Sequence, residues 1–383
     1  MKKTCVFCGL RPEVKTKEHV IPQWLISLTG EPKREGKFGV DWKKVAREWR
    51  SENAWYDKPD NYFRTFSFDQ LCFPACAECN AEFGKLEDSA KRVVETMLNW
   101  GALMGSDFHV LLDWLDKVRI GLWLGWRYLE KAPYKVSPKF HIARRIGMHD
   151  RMIYIFRVGS DRKRLYFAGC DLPVFAVLPC CFSLSINSLH ILNVSKDWLF
   201  ARRIGFPYPK VIYEAAGGRG CAVTVEAGRG RVMLPLLQQE CRLEGTEVYQ
   251  PMYPEQLQME DIKGLYDVEY VRQRSRDANK GIGMVFRREG RTLVSLAEKP
   301  DVGWVPSVRH SVELIDDAVV LQTLETQMWL HEKFLKLDPE MSAEERRKWN
   351  DMGAVCRRAS RFYIGVVKRG FHSEVDRGKG RMR

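Results

Sequence analysis

Two Cys-x-x-Cys pairs, Cys5/Cys8 and Cys76/Cys79, stand 67 residues apart. Four thiolates are the ligand set that tetrahedral Zn²⁺ favours, at about 2.3 Å each. An ion shared by both pairs ties residue 8 to residue 76, and so limits how everything between them can fold. Such a site does not exist in the unfolded chain, so its binding free energy is folding free energy. One Cys-x-x-Cys alone is a weak signal; two are a strong one, and the alternative is four unrelated buried cysteines. The remaining seven of the eleven cysteines (Cys72, Cys170, Cys180, Cys181, Cys221, Cys241, Cys356) lack this spacing. They fit small apolar core residues. Met1-Lys2-Lys3 runs straight into the motif with no apolar signal region. The longest apolar stretch, Trp114 to Leu129, carries Asp116, Lys117, Arg119 and Arg127, too much charge for a membrane span. A cytoplasmic protein with no membrane partner is therefore expected, and in that compartment paired cysteines read first as metal ligands.

Along the chain the pattern predicts an α+β protein in three parts. Residues 1–100 hold the zinc knuckle, with 31–70 as an insertion. That insertion is rich in Trp, Tyr and Phe, but its nine basic and eight acidic residues nearly cancel. Base stacking and a packed lid both fit it. A strand-like segment covers Lys17 to Pro22. Phe83, Leu86, Ala90, Val93, Val94, Met97 and Leu98 recur at steps of three and four, which predicts a helix after Cys76. A second helix is predicted over 108–130. Residues 101–215 read as helix plus mostly antiparallel sheet, with short strands over 152–156, 164–168, 174–178, 182–186, 189–194 and 211–213. Residues 216–383 continue through a strand candidate at 232–237 to helices. The glycine-rich stretch 216–230 suggests a loop or boundary. A helix over 315–337 stops at Asp338-Pro339, and Ser342-Ala-Glu-Glu345 is a capping-box start for another.

Glu18-His19 lies ten residues past Cys8, and Asn80 directly follows Cys79. With the cysteine pairs these resemble the HNH (ββα-metal) endonuclease family, notably the endonuclease VII-like and bacterial HNH group. The matching segments are Cys5-Val-Phe-Cys-Gly9, Lys17-Glu-His-Val-Ile-Pro-Gln-Trp-Leu25, Cys76-Ala-Glu-Cys-Asn80 and Leu86-Glu87. The resemblance covers about residues 1–100 and fades beyond Gly101. It implies a treble-clef zinc unit of ββα form, followed by the helical and antiparallel-sheet region and a helical basic C-terminus. It also implies hydrolysis of DNA phosphodiester bonds, with a Mg²⁺ or Mn²⁺ ion beside the structural zinc.

The chemistry gives each residue a task. His19, with an ordinary pKa near neutrality, suits a general base taking a proton from water. Glu18 suits a hard cation, with Asn80 adding its amide oxygen. Such an ion polarises phosphate and offsets charge on the leaving oxygen. Adjacent strand residues point to opposite faces, so Glu18 and His19 divide the two roles. Where the family has a third His or Asn on the helix, this chain has Glu87-Asp88-Ser89. Asp88 or Glu87 would serve the divalent metal, or sit on a solvated helix face.

The formal charge is +13, and residues 346–383 hold twelve Lys/Arg against three acids. A clustered basic end suits a polyanion, through release of condensed counterions; a solvated tail is the plainer reading. His141, Arg144, Arg145, Arg202 and Arg203 are candidate phosphate contacts. Trp114, Trp123 and Trp126 have helix-packing spacing. DNA is thus the expected partner, with partner proteins of a phage-defence system implied by analogy. The competing expectation is a non-catalytic zinc-containing module that binds nucleic acid or protein.

Overall fold

The computed structural model describes residues 4–31, 33–41, 63–68, 71–129, 141–159, 162–196, 199, 208–214, 221–226, 245–250, 275–277, 282–283, 285–289, 292–295, 312–334 and 342–381. Strand β1 (Lys15–His19) is followed by the short helix α1 (Gln23–Leu28). Pro22 separates them: it fixes φ near −60° and has no N–H to donate, which ends the ladder but suits a helix start. The strand expected over 17–22 is therefore shorter and earlier. Strands β2 (Glu35–Val40) and β3 (Phe63–Ser67) pair antiparallel, so part of the 31–70 insertion is a two-stranded ribbon. Residues 42–62, which carry most of its aromatics, lie outside the described residues.

Strand β4 (Cys72–Cys76) pairs antiparallel with β1, placing Lys15 opposite Cys76 and His19 opposite Cys72. Cys76 has extended backbone and forms the N-cap of helix α2 (Ala77–Leu98). The stripe that predicted this helix is its buried face: Ala90, Val93, Val94 and Met97 are all in the core. Helix α3 (Gly105–Leu129) follows and packs on α2.

Among the described residues, nine strands then form one sheet. These are β5 (Arg151–Arg157), β6 (Leu165–Ala168), β7 (Cys181–Ile186), β8 (Leu189–Ser195), β9 (Tyr208–Glu214), β10 (Cys221–Glu226), β11 (Thr246–Gln250), β14 (Phe286–Glu289) and β15 (Thr292–Ser295). The spatial order is β6-β7-β8-β5-β11-β14-β15-β10-β9. Every neighbouring pair is antiparallel. Strands β12 (Ser275–Asp277) and β13 (Ile282–Gly283) pair separately. Strand β10 pairs with β9 across the boundary expected at 215/216, and it lies within the glycine-rich stretch 216–230. The strand expected at 174–178 is a 3-10 turn, Pro173–Ala176. All four of its residues are buried, so the apolar run had no periodicity to tell turn from strand. The strand expected at 232–237 lies outside the described residues.

Every residue of β5, β7 and β8 is buried, which requires a layer on each face. On one side, Ile153, Ile155, Leu184 and Ile191 share a core with Phe7, Leu25, Val94, Leu111, Trp114 and Leu115. The N-terminal elements and the sheet thus have a common interior. The other face carries helix α4 (Val312–Phe334), against which helix α5 (Ala343–Arg381) packs. The capping box forms as expected: the Glu345 N–H donates to Ser342 Oγ at 3.2 Å, and the Ser342 N–H donates to Glu345 Oε2 at 3.1 Å. Thirty-nine residues make α5 about 58 Å long. It is anchored by Met352, Cys356 and Tyr363 in a second core with Leu172, Val174 and Leu324. Among the described residues no helix is long and apolar enough to cross a membrane.

Candidate metal centre and the adjoining carboxylate site

The four thiols of Cys5, Cys8, Cys76 and Cys79 come together, with all sulfurs within 4.8 Å of one another. The Cys8 and Cys76 sulfurs are 4.0 Å apart. A tetrahedron with Zn–S bonds of 2.3 Å has edges of about 3.8 Å, so the cluster has the size a zinc ion needs. No other group of three or more His, Cys, Asp or Glu gathers so closely among the described residues.

Local backbone chemistry builds the cluster. The Gly9 N–H donates to the Cys5 carbonyl at 2.9 Å, and the Cys5 N–H donates to the Leu10 carbonyl at 2.8 Å. Gly9 has φ +83°, a conformation that a Cβ penalises. The knuckle is held from both sides. Val6 N–H donates to the Pro74 carbonyl, and the Val6 carbonyl accepts from Ile142 N–H at 3.0 Å. The backbone of segment 141–145 thus braces the knuckle. Burial opposes ionisation of Cys5, but backbone hydrogen bonds from Cys8, Cys76 and Phe7 bring its pKa down to about 7. Burial pushes the Cys79 thiol up, and its hydrogen bonds with Cys76 and Cys8 add to this. A cation among the sulfurs removes that conflict, since it stabilises all four thiolates together.

The hairpin and α2 then set a second site at the opposite end of β1. His19, opposite Cys72, is four residues from the cysteine end, about 13 Å along the strand. Helix α2 starts at that cysteine end and packs on both strands. Ten residues along it, about 15 Å, it reaches the same level at Glu87. Between Glu18 and Glu87 lies Lys117 of α3. Its Nζ is 2.6 Å from Glu18 Oε1 and also donates to Glu87 Oε1. The Lys117 side chain is 4% exposed and each glutamate 13%. Glu87 Oε2 accepts from the indole N–H of Trp24 at 2.8 Å and from that of Trp114 at 3.1 Å. The ammonium also faces the Phe7 ring at 5.9 Å. Burial pushes Glu18 up, against the pull of Lys117. Burial alone would lower Lys117, but the two carboxylates hold it above the ordinary lysine range.

His19 is half-buried and lies beside Gln23 on α1, Nε2 to Nε2 at 3.1 Å. Nε2 is the ring nitrogen that faces Gln23. Of the helix residues expected at the divalent metal, Glu87 is the one turned towards Glu18, whereas Asp88 is exposed. Asn80 sits in the first turn of α2, seven residues before Glu87, at the cysteine end.

Two carboxylate oxygens meet on one buried cation position. In this arrangement an ammonium holds that position. Lys117, Trp24 and Gln23 were not singled out from the sequence as site residues, and Trp114 was read as packing alone. The signal was present: Asp116, Lys117 and Arg119 interrupt an apolar run, and buried charges demand partners. Asp116 and Arg119 pair with each other, and Arg151 also reaches Asp116.

Comparison with known proteins returns no match to a family model, a curated protein or a solved structure.

Proposed function

We propose that this protein is an HNH-type, metal-dependent endonuclease or nickase acting on DNA. One observation carries the reading. The antiparallel pair β1–β4 runs directly into α2, the four-cysteine cluster stitches the turn, and the first strand ends in Glu18-His19. That is the arrangement the sequence resemblance implies for a ββα-metal unit.

In this reading His19 accepts a proton from water at Nε2, with water taking the place of Gln23. Glu18 and Glu87 would hold the divalent ion; Asn80, at the cysteine end of α2, and Asp88, exposed, stand apart from that pair. The ion supplies charge relief at phosphate when bound. The indoles of Trp24 and Trp114 fix the Glu87 carboxylate, so that one ligand is oriented in advance. Zinc at the four cysteines is structural. A place in phage defence rests on the resemblance alone.

A second reading has its own observation: Lys117 already matches the charge of Glu18. A zinc-containing module that binds nucleic acid or protein without cutting has that same use for the pair. A supercoiled-plasmid assay with Mg²⁺ and Mn²⁺ separates the two. Wild type should cleave and His19→Ala should lose cleavage by about 100-fold or more while keeping zinc and fold. Equal cleavage by both proteins would remove His19 from the mechanism, and no cleavage by the wild type in either metal favours the binding module.

A further inference from the structure

Lys117 comes from α3, outside the hairpin and α2 that carry Glu18, His19 and Glu87. Its Nζ and a divalent ion would need the same two carboxylate oxygens. Mg²⁺ sits about 2.1 Å from its oxygens, and the ammonium is 2.6 Å from Glu18 Oε1, so the two exclude each other. The lysine stem is flexible, whereas Glu87 is pinned by two indole N–H donors, so an exchange would move the cation rather than Glu87.

We propose that Lys117 is a resident cation that keeps Glu18 and Glu87 together in the ion-free chain, and that a divalent ion binds by displacing it. The site is then blocked by its own scaffold until metal or substrate draws the lysine away. A lysine released beside a phosphate is also a cation for that phosphate. This deepens the nuclease reading, since it takes the identity of the divalent site from it, but its readout is ion binding rather than cleavage.

The test is Mn²⁺ binding to the full-length, zinc-loaded chain, by calorimetry and paramagnetic resonance. If the lysine-out state is a minor population, affinity is reduced by that fraction. Lys117→Met, with fold and zinc content verified, should then bind Mn²⁺ at least about tenfold more tightly than wild type. Adding Glu18→Gln should remove the gain. Equal or weaker binding by a folded Lys117→Met chain overturns the proposal. Should that variant fail to fold, acetylation of Lys117 in the wild type decides. Labelling read by mass spectrometry should rise several-fold as Mn²⁺ is titrated to millimolar levels, and unchanged labelling overturns the exchange. Tighter Mn²⁺ binding without plasmid cleavage would sink the nuclease reading and leave the exchange standing. Cleavage without any gain in affinity does the reverse.

Discussion

Gly9 and His141 touch across a gap with no room for a side chain: a Cβ built on Gly9 would lie 2.3 Å from His141 Cε1. The glycine is required twice, once for its positive φ and once for this approach. His141 opens the segment that braces the knuckle through Ile142 and Ala143. The four-cysteine cluster is therefore supported by three stretches of chain, although only two of them bear its cysteines.

Gly9→Ala should destabilise the protein by about 1–3 kcal/mol, from strained backbone and displacement of the imidazole. Cys76→Ser should do more, because it removes a ligand and with it several kcal/mol of metal-coupled folding energy. The knuckle shares one core with the sheet, so the loss should appear as a shift of the main unfolding transition rather than of a separate small one. Metal analysis and thermal denaturation check both. Wild type should hold one zinc per chain, and a Cys76→Ser protein with full zinc content would rule out the four-cysteine site.

Acid should destabilise the molecule through two buried histidines. Burial, aided by the Arg164 charge, lowers His190 to about 3. Burial, with Arg357 adding to it and Glu332 opposing, lowers His331 to about 4. Unfolded, both titrate near 6.5, so below that pH the unfolded chain binds protons that the folded chain refuses. Their contribution is complete above about pH 6.5 and declines as pH falls, by up to about 3 kcal/mol each at pH 4. Burial raises Asp171 and Glu18, which push in the opposite direction as they take up protons. The histidine share is therefore read from the difference between wild type and His331→Met in urea titrations at pH 7, 6, 5 and 4. The variant should lose less stability on acidification; parallel curves would mean that His331 is accessible to protons in the folded state.

The basic end is a helix that serves the core on one side. Tyr363 OH donates to the buried Asp171 Oδ2 at 3.1 Å, and Met352 and Cys356 lie in the same interior. Truncation after Asn350 would open that core and say little about binding. Charge reversal on the exposed side is cleaner. Arg347 and Arg358 are exposed, whereas Arg361 and Lys368 pair with Glu332 and Glu325. If α5 lies along DNA, Arg347→Glu with Arg358→Glu should weaken binding and flatten its salt dependence by up to about 2 in the log–log slope. An unchanged slope, measured by fluorescence anisotropy at several salt concentrations, would leave the basic face as a solvated one.

The sequence by itself determined the four-cysteine cluster and the elements that carry it. Cysteine spacing named the four thiols that gather, a periodic apolar stripe named α2, and Ser342 with Glu345 placed the start of α5. These are local statements, governed by neighbours within a few residues or by the strict demands of one ion. Only the tertiary structure decided that Glu87 rather than Asp88 faces Glu18, that Lys117 stands between them, and that β9 pairs with β10. Each of these depends on packing between segments far apart in the chain. A buried charge signals that it needs a partner, but its own neighbourhood in sequence does not say which; only the fold that brings α3 against the hairpin and α2 supplies the answer.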